Sequence, residues 1–179
     1  MKIFINPGHG GVDPGASGNG LKERDVVLKI GKRVENYLQA VGYETKLFQH
    51  DGLQGICNES NAWGADLFVS IHCNAGGGTG SETFYYYGST KGRRLAEAIQ
   101  KQMVDSIGTV NRRVEARGFA VLSGTVAPAV LVETAFIDNA RDARLLVERE
   151  DDFARAIARG ITDFCAEQRP LPDVIDSPT

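Results

Sequence analysis

Two short β-type runs flank a longer helical one at the start of the chain, and this alternation limits the fold more than any other feature. Lys2–Asn6 reads as a strand closing on Pro7-Gly8. Glu23–Val41 places apolar residues at Val26, Val27, Ile30, Val34, Leu38 and Val41, the spacing of one helix face, and Gly42 supplies its stop. Tyr43–Phe48 is a second strand. The pattern then repeats: a helix over Cys57–Trp63, a strand over Leu67–His72, a strand over Glu82–Tyr87, and a helix over Thr90–Ile107 marked by Leu95, Ile99, Met103 and Ile107. Asn111–Arg117 is polar and reads as a loop. Phe119–Leu122 and Ala129–Glu133 read as the last strands, and helices over Ala140–Val147 and Asp151–Gln168 close the fold. Strands alternating with helices predict a single α/β domain: a mixed, mostly parallel twisted sheet of about six strands with helices on both faces.

A chain of 179 residues suits one such domain, which we place at 1–168. Residues 169–179, with Pro170, Pro172 and Pro178, read as a linker or disordered tail. The net charge of −3 gives no basic surface for nucleic acid, and no apolar run reaches the roughly 18 residues that a membrane span needs. No apolar stripe stands out, so a monomer is expected. The start, MKIFINPGHGG, passes directly from Met1 into a strand, so no secretory signal is expected in this chain. Cys57, Cys73 and Cys165 are odd in number and widely spaced, which suits free, small apolar side chains better than disulfides or a cysteine metal site.

In open α/β sheets the chemistry gathers beyond the carboxyl ends of the strands. There the sequence puts His9 after the first strand, His72 at the end of Leu67–His72, and Glu133 at the end of Ala129–Glu133. Glu23 opens the helix that follows the first strand. Two imidazoles and a carboxylate form a known zinc set, with a fourth position for water. A second carboxylate is then needed to take the water's proton. Glu23 and Glu133 are the two candidates for the two roles. Each residue also has a plain structural reading: Glu23 suits a helix first turn, and His72 suits a hydrogen-bonded strand end. Glu133 fits such a reading least, because a carboxylate after Ala-Val-Leu-Val in a central strand costs free energy unless something pairs with it.

Five blocks of the sequence, in order, carry a resemblance: NPGHGGVDPGASG (6–18), LKERDVVL (21–28), ADLFVSIHCNA (65–75), GSETFYYY (80–87) and PAVLVETAFIDNARDARLL (128–146). Over roughly residues 2–164 the chain resembles the zinc-dependent N-acetylmuramoyl-L-alanine amidases of the type-3 class, found among bacterial cell-wall hydrolases, autolysins and phage endolysins. The resemblance implies one Zn2+ held by His9, Glu23 and His72, with Glu133 as catalytic residue. It also implies peptidoglycan as partner, cut between N-acetylmuramic acid and L-alanine, with action at the cell wall after secretion or phage release. Asn74 and Glu82 are further candidates for substrate binding. Asn6 stands where many relatives carry Asp, Cys73 follows the zinc histidine in place of Ala, and Cys57 replaces a usual arginine. Cys73 is expected to face away from the metal, because successive strand residues point to opposite faces. His50 reads as an exposed turn residue outside the site.

Other chemistries fit less well. Gly8-His9-Gly10 is followed by Asp13 where a dinucleotide loop needs Gly, and AGGGTGSE lacks the Lys-Ser/Thr of a phosphate loop. No G-x-S-x-G occurs. A zinc peptidase cutting within the stem peptide would use the same four residues. A non-catalytic peptidoglycan-binding module would not need all of them.

Overall fold

The computed structural model describes residues 1–168, so the expected tail at 169–179 lies outside the described residues. The elements, in chain order, are β1 (Lys2–Pro7), β2 (Ser17–Gly18), β3 (Leu21–Lys22), α1 (Glu23–Ala40), β4 (Glu44–Leu47), α2 (Leu53–Trp63), β5 (Leu67–Asn74) and β6 (Ser81–Tyr85). They continue with α3 (Thr90–Ile107), β7 (Asn111–Ala116), α4 (Ala120–Ser123), β8 (Ala129–Phe136), α5 (Ala140–Glu148) and α6 (Glu150–Glu167). Six strands form one sheet in the order β4-β1-β5-β8-β6-β7, and β2 pairs with β3 in a separate small ribbon. β4, β1, β5 and β8 are mutually parallel; β6 runs against β8 and parallel to β7. The single mixed, mostly parallel α/β sheet is therefore as the sequence predicts.

Two sequence expectations are corrected. Asn111–Arg117 is not a loop, because Asn111–Ala116 forms β7 at the sheet edge and pairs with β6. Its polar look comes from that edge position, where one face meets water. Phe119–Leu122 is not a strand, because Ala120–Ser123 makes a single helical turn that covers the sheet with Val121 and Leu122. A four-residue apolar run carries no period long enough to separate the two outcomes.

The core divides by sheet face. On one face Ile3, Ile5, Val69, Ile71, Val130 and Val132 pack with buried positions of α1, α3 and α6, such as Ile30, Ile99 and Phe153. Fully burying one such side chain stabilises by about 1.5–3 kcal/mol. On the other face Phe4, Phe68, Phe84 and Leu131 pack under α2 and α4 through Ile56, Cys57 and Val121. These two short helices leave the rim beyond β1, β5 and β8 uncovered. All three cysteines are buried and none is in a disulfide among the described residues, and Cys73 belongs to the α1/α3/α6 side. No helix among the described residues is long and apolar enough to cross a membrane.

Candidate active site

His9, Glu23 and His72 converge at the uncovered rim, and a ligand atom from each lies within 4.8 Å of the others. Different elements deliver them. β1 ends at Pro7, and the chain turns through His9 in a left-handed conformation (φ 60°), which aims the ring back over the sheet edge. Gly10 and Asp13 then close a small bridge, with Asp13 N donating to Gly10 O at 2.8 Å. This returns the Asp13 carboxylate to His9, where Oδ2 lies 2.7 Å from Nδ1. The ring's Nε2 faces Glu23 Oε2 at 3.0 Å.

Glu23 begins α1 and is 3% exposed. Its Oε2 also accepts from Ala16 N at 2.8 Å, and its Oε1 accepts from Cys73 N at 3.0 Å and faces His72 Nδ1 at 3.0 Å. Two glycines make this cluster sterically feasible. A Cβ on Gly8 would stand 2.6 Å from His72 Nδ1, inside the ring's contact distance. Gly15, at φ +66°, would place a Cβ 2.7 Å from Glu23 Oε2.

The electrostatics follow from this packing. The hydrogen bond to Glu23 is the main cause that raises the His9 pKa to about 9; burial opposes it, and Asp13 adds to it. Burial works against ionisation of Glu23, yet the hydrogen bonds from His72 and His9 outweigh it and hold its carboxyl well below the usual carboxylate range. The three groups thus form a compact charged cluster with a proton on His9 at neutral pH. A metal cation would take the place of that proton, and a buried anionic oxygen pair flanked by two imidazoles suits such an ion.

Glu133 sits opposite His72 in the β5–β8 ladder. Burial, followed by the charges of Glu23 and Glu82, pushes its pKa up to about 8. Its Oε2 is buried with no hydrogen-bond partner among the described residues. Such an orphaned acceptor is costly and marks a site meant to be completed by something else.

Glu82 stands opposite Glu133 in the β6–β8 ladder and is 6% exposed. Asn74 Nδ2 donates to its Oε1, while Arg113 Nε and Arg112 Nε reach its Oε2 at 2.9 and 3.3 Å. Asn74 and Glu82 are therefore bonded to one another beside Glu133. Asn74 Oδ1 also accepts from Ala75 N at 2.9 Å, which fixes the start of the glycine-rich loop.

Sequence reading passed over Asp13, whose role depends on a turn with positive φ that residue types alone do not reveal. It also set His50 aside as uninvolved. The His50 side chain is 49% exposed, but it borders the same cavity of about 340 Å³ as His9 and His72. Its ring stacks on Phe48 at 5.7 Å and its Nδ1 accepts from Gly52 N at 2.8 Å. Asn6, buried below the site, accepts from Ser70 Oγ at 2.8 Å and donates to Phe48 O at 3.0 Å, so it supports the strands without a charge.

Comparison with known proteins bears on this arrangement. The family profile described as N-acetylmuramoyl-L-alanine amidase matches residues 3–163. The chain is 43% identical over 173 residues to the N-acetylmuramoyl-L-alanine amidase LytC of Bacillus subtilis, covering 90% of this chain and 35% of that protein. It is 40% identical over 179 residues to the endolysin of Bacillus phage SPP1, covering 92% of this chain and 65% of that one. The chain thus spans between about a third and two thirds of these relatives' lengths. Among solved structures, the N-acetylmuramoyl-L-alanine amidase AmiC2 of Nostoc punctiforme superposes with a TM-score of 0.86 at 36% identity, covering 93% of this chain and 97% of that one.

Proposed function

The chain belongs to the N-acetylmuramoyl-L-alanine amidase family, and we propose from that premise that it hydrolyses the amide bond between N-acetylmuramic acid and L-alanine in peptidoglycan. The observation that carries the reading is the meeting of His9, Glu23 and His72 within 4.8 Å, beside a buried carboxylate with an unpartnered oxygen. His9, Glu23 and His72 would hold one zinc ion, which when bound polarises a carbonyl and lowers the pKa of water toward about 7.

The chain's own residues do the rest. Glu133 takes the proton of the attacking water at its unpartnered Oε2 and returns it to the departing alanine nitrogen. Its raised pKa suits a group that must hold that proton between the two steps. Asp13 fixes the His9 ring through Nδ1 and so keeps Nε2 aimed at the centre. Asn74 and Glu82 border Glu133 and are our candidates for contact with substrate. The similarity to a cell-wall amidase and to a phage endolysin supports action at the cell wall.

Mass spectrometry of purified peptidoglycan after digestion, with and without a chelator, tests this. Stem peptides with a new free L-alanine amine, absent under chelation and restored by zinc, are expected. Fragments cut inside the stem would replace the amidase reading with a peptidase. No fragments from zinc-loaded protein would leave a binding module.

A further inference from the structure

The rim around Glu133 is uneven in charge. On the β1 side, the cavity beside His9 and His72 is bordered by the carboxylates of Asp13 and Asp51 and by the apolar Leu53 and Phe119. On the other side, the ladder register continues the row of site residues outward: His72 opposite Glu133, Glu133 opposite Glu82, and Glu82 opposite Arg113. Arg113 stands on the edge strand β7, and Arg117 follows on the same ladder, its N donating to Tyr85 O at 2.8 Å. Residues two apart on a strand share a face, so Arg113, Glu115 and Arg117 lie on the face that carries Glu133. Because β6 and β7 run against β8, this row leads from the rim at Arg113 toward the opposite end of the sheet at Arg117, about 13 Å further along.

The two arginines are held in place. Arg113 Nε meets Glu82 Oε2 at 2.9 Å, and Arg113 Nη1 and Arg117 Nη2 both meet Glu115 Oε2, at 3.3 and 2.9 Å. Arg117 also lies over Phe84, 5.8 Å from the ring centroid. A guanidinium has five N–H donors, and these bonds use two of Arg113's. Both side chains remain open to water, at 44% and 41% exposure. Charges protect an edge strand from pairing, but either sign serves that purpose. In a chain whose net charge is −3, paired arginines here call for another reason.

We propose that the stem peptide leaves the cleavage point across β6 and then runs along β7, where Arg113 takes a carboxylate of its second or third residue and Arg117 the carboxylate at its far end, and that the glycan lies over the Asp13–Asp51 cavity. This rests on the amidase reading. Beyond L-alanine the stem is the half of the substrate that carries carboxylates, whereas N-acetylated sugars are neutral. Carboxylates on the cavity side repel the stem and accept hydrogen bonds from sugar hydroxyls. The reach also fits. Three strand spacings put the Arg113 backbone about 14 Å from that of His72. An extended residue covers about 3.5 Å, so the Arg113 side chain reaching inward meets the second or third residue. Arg117, about 13 Å further along the strand, meets the end of the stem. Planar guanidinium groups are suited to paired contacts with carboxylates.

The test compares zinc-loaded wild type with R113Q/R117Q and R113K/R117K on two muropeptides, one with free stem carboxylates and one with them amidated. The ratio of kcat/KM for the free acid to that for the amide should fall about tenfold in R113Q/R117Q, mostly through KM. R113K/R117K, which keeps the charge but loses the planar fork, should give a ratio between those of wild type and R113Q/R117Q. Zinc content and Tm, measured on each variant, show that the folded metal-loaded state is being compared. An unchanged ratio in a folded R113Q/R117Q overturns the placement of the peptide while leaving the amidase reading intact. A wild type that cuts neither muropeptide at the alanine amide overturns both.

Discussion

Glu133 faces His72 across the β5–β8 ladder, one strand from the donor cluster, and keeps a buried oxygen that no described residue satisfies. The fold thereby holds a carboxyl group, at a cost in stability, where the proposed reaction moves a proton. Replacing it by Gln keeps the shape and removes both the base and the cost of holding its proton when buried. Turnover in Glu133→Gln should drop about 10²–10⁴-fold, while zinc content by elemental analysis stays at the wild-type level. Thermal stability of the chelated protein near neutral pH should rise. Undiminished release of L-alanine-terminated peptides would remove Glu133 from catalysis.

The donor cluster makes a separate prediction, read by metal content without reference to activity. His72→Ala and His9→Ala should each lose zinc on dialysis, with a folded circular dichroism spectrum retained. Asp13→Asn should weaken zinc affinity more mildly, about 10–100-fold, because it leaves the His9 ring in place but alters the partner of Nδ1. A fully metallated His72→Ala would exclude that residue from the ligand set.

Gly8 tests whether the cluster depends on close backbone approach. Gly8 N donates to Ile71 O at 2.8 Å, so the backbone passes directly beside His72. Its missing side chain is the space that the imidazole occupies. Gly8→Ala should therefore cost metal affinity by displacing the ring, and lower Tm, although Gly8 itself contributes no ligand. Metal affinity equal to wild type in a folded Gly8→Ala protein would show that the ring has room elsewhere.

That His9, Glu23, His72 and Glu133 meet at one rim was legible in the sequence for a physical reason. His9 lies just past β1, and His72 and Glu133 lie in β5 and β8, two and three residues before those strands end rather than at the ends the sequence suggests. A parallel sheet gathers such positions at one rim, and Glu23 joins them as the first residue of α1. What the sequence hid lay in turns and at the edge. Asp13 reaches His9 only because His9 and Gly10 adopt positive φ, which residue types permit but do not announce. β7 has a period of two, with Arg113 and Glu115 alternating with Val114 and Ala116. Its charged half faces water at an edge, so it reads as a loop by polarity. α4 failed in the opposite sense, since four apolar residues look alike as a strand or as one helical turn. His50 borders the cavity because the turn before α2 folds back over Gly10, whose Cβ position would lie 3.1 Å from His50 N. Residue types do not reveal that return either.

The stability of the chelated protein should depend on pH in a way that these same groups determine. His9, raised from 6.5 to about 9, binds a proton more tightly when folded. Its contribution is complete below about pH 6.5 and is lost as pH rises through 9. Glu133, raised from 4.5 to about 8 by burial and by the charges of Glu23 and Glu82, acts in the same direction over a lower window. The folded state keeps a proton that the unfolded chain releases, so stability falls as pH climbs from 4.5 to 8. Glu23, depressed below its ordinary 4.5, acts oppositely, and its contribution is lost as pH falls below that value. Tm with chelator should therefore peak near about pH 5 and decline toward pH 9. Zinc should reverse the alkaline decline, because it binds the deprotonated cluster. In Glu133→Gln the decline should begin only above about pH 6.5, where His9 alone remains to titrate. A Glu133→Gln profile that still falls from pH 4.5 would mean that the proton resides on another group.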